Sequence, residues 1–400
     1  MHIKKVCSKG DLIMATNSNQ TKGAGEHTGN GQNRSTGGGQ ASRSKMTAKQ
    51  RAAKKRRKII VFAAEIVILV AMLAVLFVLF DKTEEAPVVV ELPTEAESIG
   101  IASQVEESPV MKGYWNIALF GIDAENESQL VKGARSDSIM IASINLDTGD
   151  IKLVSVYRDT YLNIGDDYYI KCNTAYSQGG GEQAVTMLNA NLDMDIQDFI
   201  AIGYEGLKGV VDGLGGVDLD VDEEELKHIN NYQYSIDKIL KCGYKEVTKT
   251  GYQRLDGMQA AAYCRIRYRT GDDFARAASQ RELIQAIADR IAEVDLATLT
   301  DVFEEVMGHV VTSLTAEDIL PYLSQVANYR IVDEGGFPES SMRTTGNIGS
   351  KGSSVIPVDL ESNVEWLHEF LFEVENYEVS DKVKEYSAKI EAETSPYLKK

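Results

Sequence analysis

Hydrophobic and polar positions divide the chain into segments of different kinds. Residues 1–58 show no apolar periodicity, and Thr16–Ser44 is rich in Gly, Ser, Asn and Gln. Such a stretch has too little apolar surface to offset the entropy of ordering, so it reads as a disordered tail. Ile59–Phe80 (IIVFAAEIVILVAMLAVLFVLF) is apolar at every position except Glu65. At about 1.5 Å per residue it makes a helix of roughly 33 Å, enough to span a hydrocarbon core of about 30 Å. Residues 81–112, acidic with scattered prolines, read as a linker.

Beyond Lys112 short apolar runs alternate with helical spacing. Asn116–Gly121, Ser138–Leu146 and Ile151–Tyr157 read as strands, and Asp147-Thr148-Gly149-Asp150 as a hairpin turn between the last two. Gly181–Leu192 has helical spacing, Ile196–Ile202 reads as a strand, and Tyr204–Leu214 as a helix closed by Gly215-Gly216. Val217–Val221 alternates apolar and Asp, as a half-exposed strand does. Helices are expected at Leu255–Arg265, Arg276–Ala292, Asp301–Leu314, Ala316–Ala327 and Glu361–Phe372, with a loop at Thr345–Ser354 and a strand near Val355–Val358. The expected fold class is therefore α/β (α+β). A central mixed sheet covered by helices would occupy residues 113–378, followed by a charged tail at 379–400.

Charge sharpens this division. Residues 1–58 hold 14 Lys/Arg against Asp11 and Glu26, a balance of +12; the whole chain is at −18, so the remainder carries −30. The run Lys54-Lys55-Arg56-Arg57-Lys58 abuts the apolar segment, and Asp81, Glu84 and Glu85 follow it. By the positive-inside rule the N-terminus is cytoplasmic, Ile59–Phe80 is a single membrane pass, and residues 81–400 face outward. Anionic lipid at the inner leaflet accounts for the basic tail, so no nucleic-acid partner is expected. Cys172, Cys242 and Cys264 lack metal-ligand spacing; one disulfide or three unpaired thiols both fit.

The sequence contains no HExxH, GxSxG, GxxxxGK[ST] or CxxC. It does place arginine beside carboxylate at element ends. Asp123 follows the first strand, and Arg135 and Asp137 precede or open the second; two apart in extended chain, they point to one side. Two carboxylates at adjacent strand ends, without histidine or thiolate, suit Mg²⁺ or Mn²⁺. Arg158 and Asp159 terminate the third strand. Arg265, Arg267 and Arg269 are three arginines in five residues, and Asp273, Arg276 and Gln280 follow, the last two on one helical face. A single Arg–Asp pair is usually a surface ion pair worth about 0–1 kcal/mol. In a body carrying −30, this many arginines around two metal-ready carboxylates suit a polyanion, specifically a pyrophosphate with its cation.

At these residues the chain resembles the LytR-CpsA-Psr family of bacterial cell-envelope proteins. The matching stretches are Gly121-Ile122-Asp123, Arg135-Ser136-Asp137-Ser138, Ser155–Thr160, Lys171–Tyr176, Gly213–Val221, Leu255–Arg267 and Asp273–Arg281, within about Tyr114 to Phe372. Two departures stand out. Tyr157 and Ala275 occupy places where the family commonly has proline and glycine.

The resemblance implies a membrane-anchored, extracellular phosphotransferase. It would move a glycopolymer (teichoic acid, capsule or similar) from undecaprenyl pyrophosphate to the C6 hydroxyl of N-acetylmuramic acid in peptidoglycan. Carried over residue by residue, Asp123 and Asp137 would hold Mg²⁺, and Arg135, Arg265, Arg267, Arg276, Gln280 and Lys171 would bind the pyrophosphate. Arg158, oriented by Asp159, would stabilise the transferring phosphoryl group, with Asp137 or Asp159 as the base. The lipid is expected between Leu255–Cys264 and Leu283–Val294. A hydrolase using the same site and a non-catalytic transcriptional attenuator are the alternatives.

Overall fold

The computed structural model describes residues 87–267, 273–291, 293–295, 298, 301–302, 305–315 and 330–398. The basic tail, the apolar segment Ile59–Phe80, Arg269 and the expected helix Ala316–Ala327 lie outside them. Among the described residues no helix is long and apolar enough to cross a membrane.

A seven-stranded mixed sheet organises the domain. Its strands are β1 (Val88–Val89), β2 (Tyr114–Ile122), β3 (Ser136–Asn145), β4 (Asp150–Val156), β7 (Asp198–Ile202), β10 (Val310–Thr312) and β11 (Arg330–Phe337), in the order β1-β10-β7-β2-β3-β4-β11. β2, β3 and β4 form an antiparallel meander, while β7 and β11 join it in parallel. The expected hairpin between β3 and β4 is present. Gly149 turns with φ 73°, and the Asn145 side chain accepts from Asp147 N and Thr148 N (both 3.0 Å). Three antiparallel ribbons flank the sheet: β5 (Tyr161–Asn163) with β6 (Tyr169–Lys171), β8 (Val217–Val221) with β9 (Gly251–Leu255), and β12 (Arg343–Asn347) with β13 (Ser353–Pro357).

The helices are α1 (Ser103–Glu106), α2 (Glu127–Val131), α3 (Thr174–Leu192), α4 (Tyr204–Gly213), α5 (Glu223–Leu240), α6 (Gly257–Tyr263), α7 (Asp273–Ile291), α8 (Leu360–Phe372) and α9 (Asp381–Thr394). Alternation along β2 divides its side chains between two cores. Ala118, Phe120 and Ile122 point into the core under α3, α8 and α9, while Trp115 and Ile117 point into a smaller one with Leu153 and Leu314. α3 is kinked at Gly180 (φ 68°), and a Cβ on Gly181 would run into the Phe199 ring, so a close helix–sheet approach dictates glycine here. A separate core joins α4–α7 to the β8–β9 ribbon.

Four boundaries differ from the sequence expectation. Residues 88–113 are not a free linker: Ile99, Ile101, Val105 and Met111 are buried, and Asn189 Nδ2 donates to Ile99 O (2.9 Å). The acidic residues between them face solvent, which disguises a sparse set of apolar anchors. The 379–400 segment is likewise folded, as α9, with Val383 and Ile390 in the main core and Ser380 capping its N-terminus. Val310–Thr312, expected to be helical, pairs with β7 as a sheet strand. The expected loop at Thr345–Ser354 begins inside β12, an exposed ribbon that needs no apolar alternation.

Candidate active site

The site is assembled from element ends. Asp123 follows β2 and Asp137 is the second residue of β3, at strand ends brought together by the Gly121–Ser138 pairing. Arg158 and Asp159 form the turn after β4, and Lys171 ends β6. Arg265 and Arg267 follow α6, while Asp273, Arg276 and Gln280 lie in the first turns of α7. Arg281 docks α7 on the sheet by donating from Nη1 to Ser155 Oγ (2.8 Å).

The Arg158–Asp159 turn is held from every side. Tyr157 N donates to Phe337 O (3.0 Å), Asn173 N to Arg158 O (3.1 Å) and Val355 N to Asp159 O (2.9 Å). Proline could not make the first of these bonds, so Tyr157 fixes the strand end by another means. The Cys172 thiol donates to Tyr157 O and Arg158 O (both 3.3 Å). Burial pushes its pKa far up, which makes it a structural donor and not a nucleophile.

Arg158 is the hub of the charged network. Its Nη1 lies 2.6 Å from Asp137 Oδ1, its Nη2 3.4 Å from Asp273 Oδ1, and its Nε 3.9 Å from Asp159 Oδ1. Burial works against its charge, yet the three carboxylates outweigh burial and raise its pKa. Lys171 pairs with Asp159 Oδ2 (3.1 Å), and Arg276 with Asp273 Oδ1 (2.8 Å). Burial raises the Asp159 pKa. It would raise that of Asp273 too, but Arg276 and Arg158 override it and hold Asp273 below the usual carboxylate range.

A second group surrounds Asp123. Tyr204 Oη donates to its Oδ1 (2.6 Å), and Arg265 Nη2 lies 3.6 Å from the same atom. The Arg265 guanidinium stacks over the Tyr204 ring at 4.7 Å. Arg267 Nη2 reaches Asp137 Oδ2 at 3.4 Å and leaves much of its side chain exposed. A small cleft opens within the Arg158 network, lined by Asp137, Arg158, Asp273, Arg276 and Gln280.

The arginines of the cleft and of the Asp123 group carry more donors than the protein satisfies. Arg158 Nε, Arg265 Nη1 and both Nε and Nη1 of Arg276 are buried without a hydrogen-bond partner. Arg276 is only 3% exposed, and burial, then the charge of Arg158, depress its pKa. Buried guanidinium N–H groups left unmatched are costly, about 1–3 kcal/mol each or more. An anion with several oxygens would match them.

The structure brings together Asp137, Arg158, Asp159, Lys171, Arg276 and Gln280, whose Nε2 lies 3.5 Å from Asp137 O. Arg135 stays apart. It is exposed and pairs with no carboxylate among the described residues, contributing only its carbonyl to Asp123 N (3.1 Å). The proposed walls of a lipid groove, including Met258, Tyr263, Leu283 and Ile287, are buried in the core shared with β8 and β9. No disulfide joins Cys172, Cys242 and Cys264 to one another. Sequence reasoning gave no role to Asp273 or Tyr204. Asp273 stands three residues before Arg276, the helical spacing that yields their ion pair, so that signal was legible; Tyr204 had none.

Among the described residues no group of three or more His, Cys, Asp or Glu could hold a metal ion by itself. Asp123 and Asp137 still fit Mg²⁺, which takes one or two carboxylates and completes its shell with phosphate oxygens and water. Asp123 Oδ2 accepts no hydrogen bond from the described residues and remains available.

Comparison with known proteins settles the family. The LytR_cpsA_psr family model matches residues 89–355, two-thirds of the chain. The chain belongs to this family. Among curated relatives, the polyisoprenyl-teichoic acid–peptidoglycan teichoic acid transferase TagU of Enterococcus faecalis is 29% identical over 208 residues, covering 51% of this chain and 63% of that protein. TagU of Bacillus mycoides is 31% identical over 207 residues, covering 51% and 62%. The match thus spans less than two-thirds of either relative. A solved structure of TagT bound to LI-WTA shares the fold, with 21% identity, 70% and 99% coverage and a TM-score of 0.52. The family match begins at β1 and so includes residues expected to be linker.

Proposed function

We propose that the chain is a membrane-anchored extracellular phosphotransferase that moves a glycopolymer from undecaprenyl pyrophosphate to a muramic acid hydroxyl of peptidoglycan. The observation that carries the reading is the set of buried, unmatched guanidinium donors on Arg158, Arg265 and Arg276, gathered around Asp123 and Asp137. The names of the TagU relatives and the bound LI-WTA of the TagT structure support a teichoic-acid-like donor. Ile59–Phe80 would anchor the chain, with the basic run on the cytoplasmic side.

In this reading Arg276 and Arg265 grip the diphosphate through the N–H groups that the protein leaves free. Arg267 and Lys171 add charge at the rim, with Gln280 as a neutral donor. Exposed Arg135 contributes long-range attraction for an anion rather than a built contact. Asp123 and Asp137 would hold Mg²⁺, which supplies charge neutralisation to the phosphates when bound. The sugar hydroxyl oxygen attacks the phosphorus attached to the polymer, and the bond from that phosphorus to the bridging oxygen breaks. Undecaprenyl phosphate departs carrying that oxygen. Arg158 neutralises charge on the transferring group, and ionised Asp159 beside it accepts the hydroxyl proton.

The test supplies full-length protein in lipid bilayers with lipid-linked polymer, with and without peptidoglycan strands. Polymer joined to peptidoglycan through a phosphodiester is expected. Release of free phosphorylated polymer regardless of acceptor would favour a hydrolase instead. Chelation with EDTA followed by Mg²⁺ add-back checks the ion.

A further inference from the structure

One cation beside the cleft pairs with no carboxylate among the described residues. Arg343, the first residue of β12, sits between two aromatic rings. Its guanidinium carbon is 4.7 Å from the Tyr157 ring centre and 4.0 Å from that of Phe274. Nη1 donates to Pro338 O (2.8 Å) and to the Tyr157 hydroxyl (3.3 Å). The two rings meet edge to face, 4.6 Å apart at 86°. A Cβ on Gly336 would collide with the Tyr157 hydroxyl, so β11 is shaped to admit that ring.

The sequence neighbours of these rings matter most. Tyr157 immediately precedes Arg158, and Phe274 immediately follows Asp273. One guanidinium therefore joins the turn after β4 to the first turn of α7, the two segments whose adjacent side chains form the Arg158–Asp273 pair at 3.4 Å. These segments lie more than a hundred residues apart in the chain. A cation held within 5 Å of both ring centres attracts each ring and so ties the two together, which an apolar side chain of similar length does not.

We infer that Arg343 is a positioning residue: it locks the Arg158–Asp159 turn to the Asp273 end of α7, setting the geometry of the groups that act on the transferring phosphate. The inference rests on the phosphotransferase reading of the site. Arg343 touches neither the diphosphate donors nor the carboxylates. Its effect runs through Tyr157 and Phe274.

The test compares Arg343→Met and Arg343→Lys with the wild type, all full length in lipid bilayers. The donor is a C10 prenyl-pyrophosphate-linked disaccharide and the acceptor muramic-acid-containing glycan strands. Arg343→Met should lower kcat about tenfold with KM for the donor within twofold, and Arg343→Lys should recover kcat to within threefold. Backbone amide exchange, which needs no turnover, should quicken at least fivefold at Arg158–Thr160 and Ala275–Ala277 in the Met variant and recover in the Lys variant. Unchanged exchange at both segments, or a kcat unaltered in an active enzyme, overturns the inference. Equal loss in the Met and Lys variants overturns it as well, because a cation between the rings would then count for nothing. A wild type that fails to turn over the donor counts against the phosphotransferase reading, and the exchange result still decides whether Arg343 is the lock.

Discussion

Two buried polar regions of the molecule solve opposite problems. Under the C-terminal helices, Asn189 donates to Ile99 O and Ile196 O and accepts from Ile196 N. Asn191 donates to Asn163 O and Met187 O and accepts from Asn163 N. Asp193 takes both the N–H and the hydroxyl of Ser380 as well as the Tyr377 hydroxyl. His368, stacked on Tyr377 at 3.6 Å, binds Leu192 O, and burial lowers its pKa to about 4, so it stays neutral. The side-chain polar atoms of this seam are satisfied. At the cleft, by contrast, four guanidinium nitrogens of Arg158, Arg265 and Arg276 lack partners although acidic and basic side chains crowd around Arg158 and Asp137. A saturated polar cluster specifies structure; one left short of acceptors specifies a ligand.

The sharpest way to break this contrast is at Arg158. Arg158→Ala should reduce the rate of polymer transfer about 10³-fold, equivalent to about 4 kcal/mol, while the folded protein still reaches the membrane. Product analysis of purified walls or of reconstituted enzyme reads the rate directly. Undiminished transfer would remove Arg158 from the reaction. In the seam, Asn189→Ala should cost about 3 kcal/mol of stability, since it orphans two carbonyls and one N–H. Calorimetry should show a lower midpoint, with affinity for inorganic pyrophosphate unchanged.

Arg276→Met reverses this balance. Pyrophosphate should bind about 30-fold more weakly by titration calorimetry, a loss of about 2 kcal/mol. Thermal stability should fall by less than in Asn189→Ala, because removal of two unmatched buried donors offsets the lost Asp273 pair and Arg158 still faces Asp273. A stability loss like that of Asn189→Ala would erase the distinction between the regions.

The smallest effect is a pH dependence at the margin of the seam. Asp195 accepts from the Asn116 side chain, and burial raises its pKa to about 7. In the unfolded chain it returns to about 3.9, so the folded state binds the extra proton. The resulting stability is complete below about pH 4 and is lost as pH rises through about 7. Asp195→Asn should therefore flatten the midpoint–pH curve between about pH 4 and 7, changing stability at pH 8 by about 1–2 kcal/mol given its partial exposure.

Strands β2–β4, β7 and β8 and helices α3, α4, α6 and α7 are legible in the sequence because alternation and helical spacing report burial directly, whereas α2, the long α5, the β5–β6 ribbon and β9 were not expected. What escapes is burial achieved by few residues. Ile99, Val105 and Met111 anchor a region that is otherwise acidic, and Val310–Thr312 joins the sheet after a helical pattern. The site was readable where like spacing put charges on one element, as with Arg276 and Gln280. It was not readable where tertiary contact alone made the pair. Tyr204 with Asp123, and Arg343 with Tyr157, are joined only by the fold.

The incorporation of residues 88–113 into the domain bears on how far the enzyme can roam. If Ile59–Phe80 crosses the bilayer as proposed, residues 81–87 alone connect lipid to the sheet edge at β1. Seven residues reach about 25 Å even when fully stretched. On the proposed reading so short a leash would keep the domain close to the headgroups, and an acceptor glycan would have to come down to the membrane.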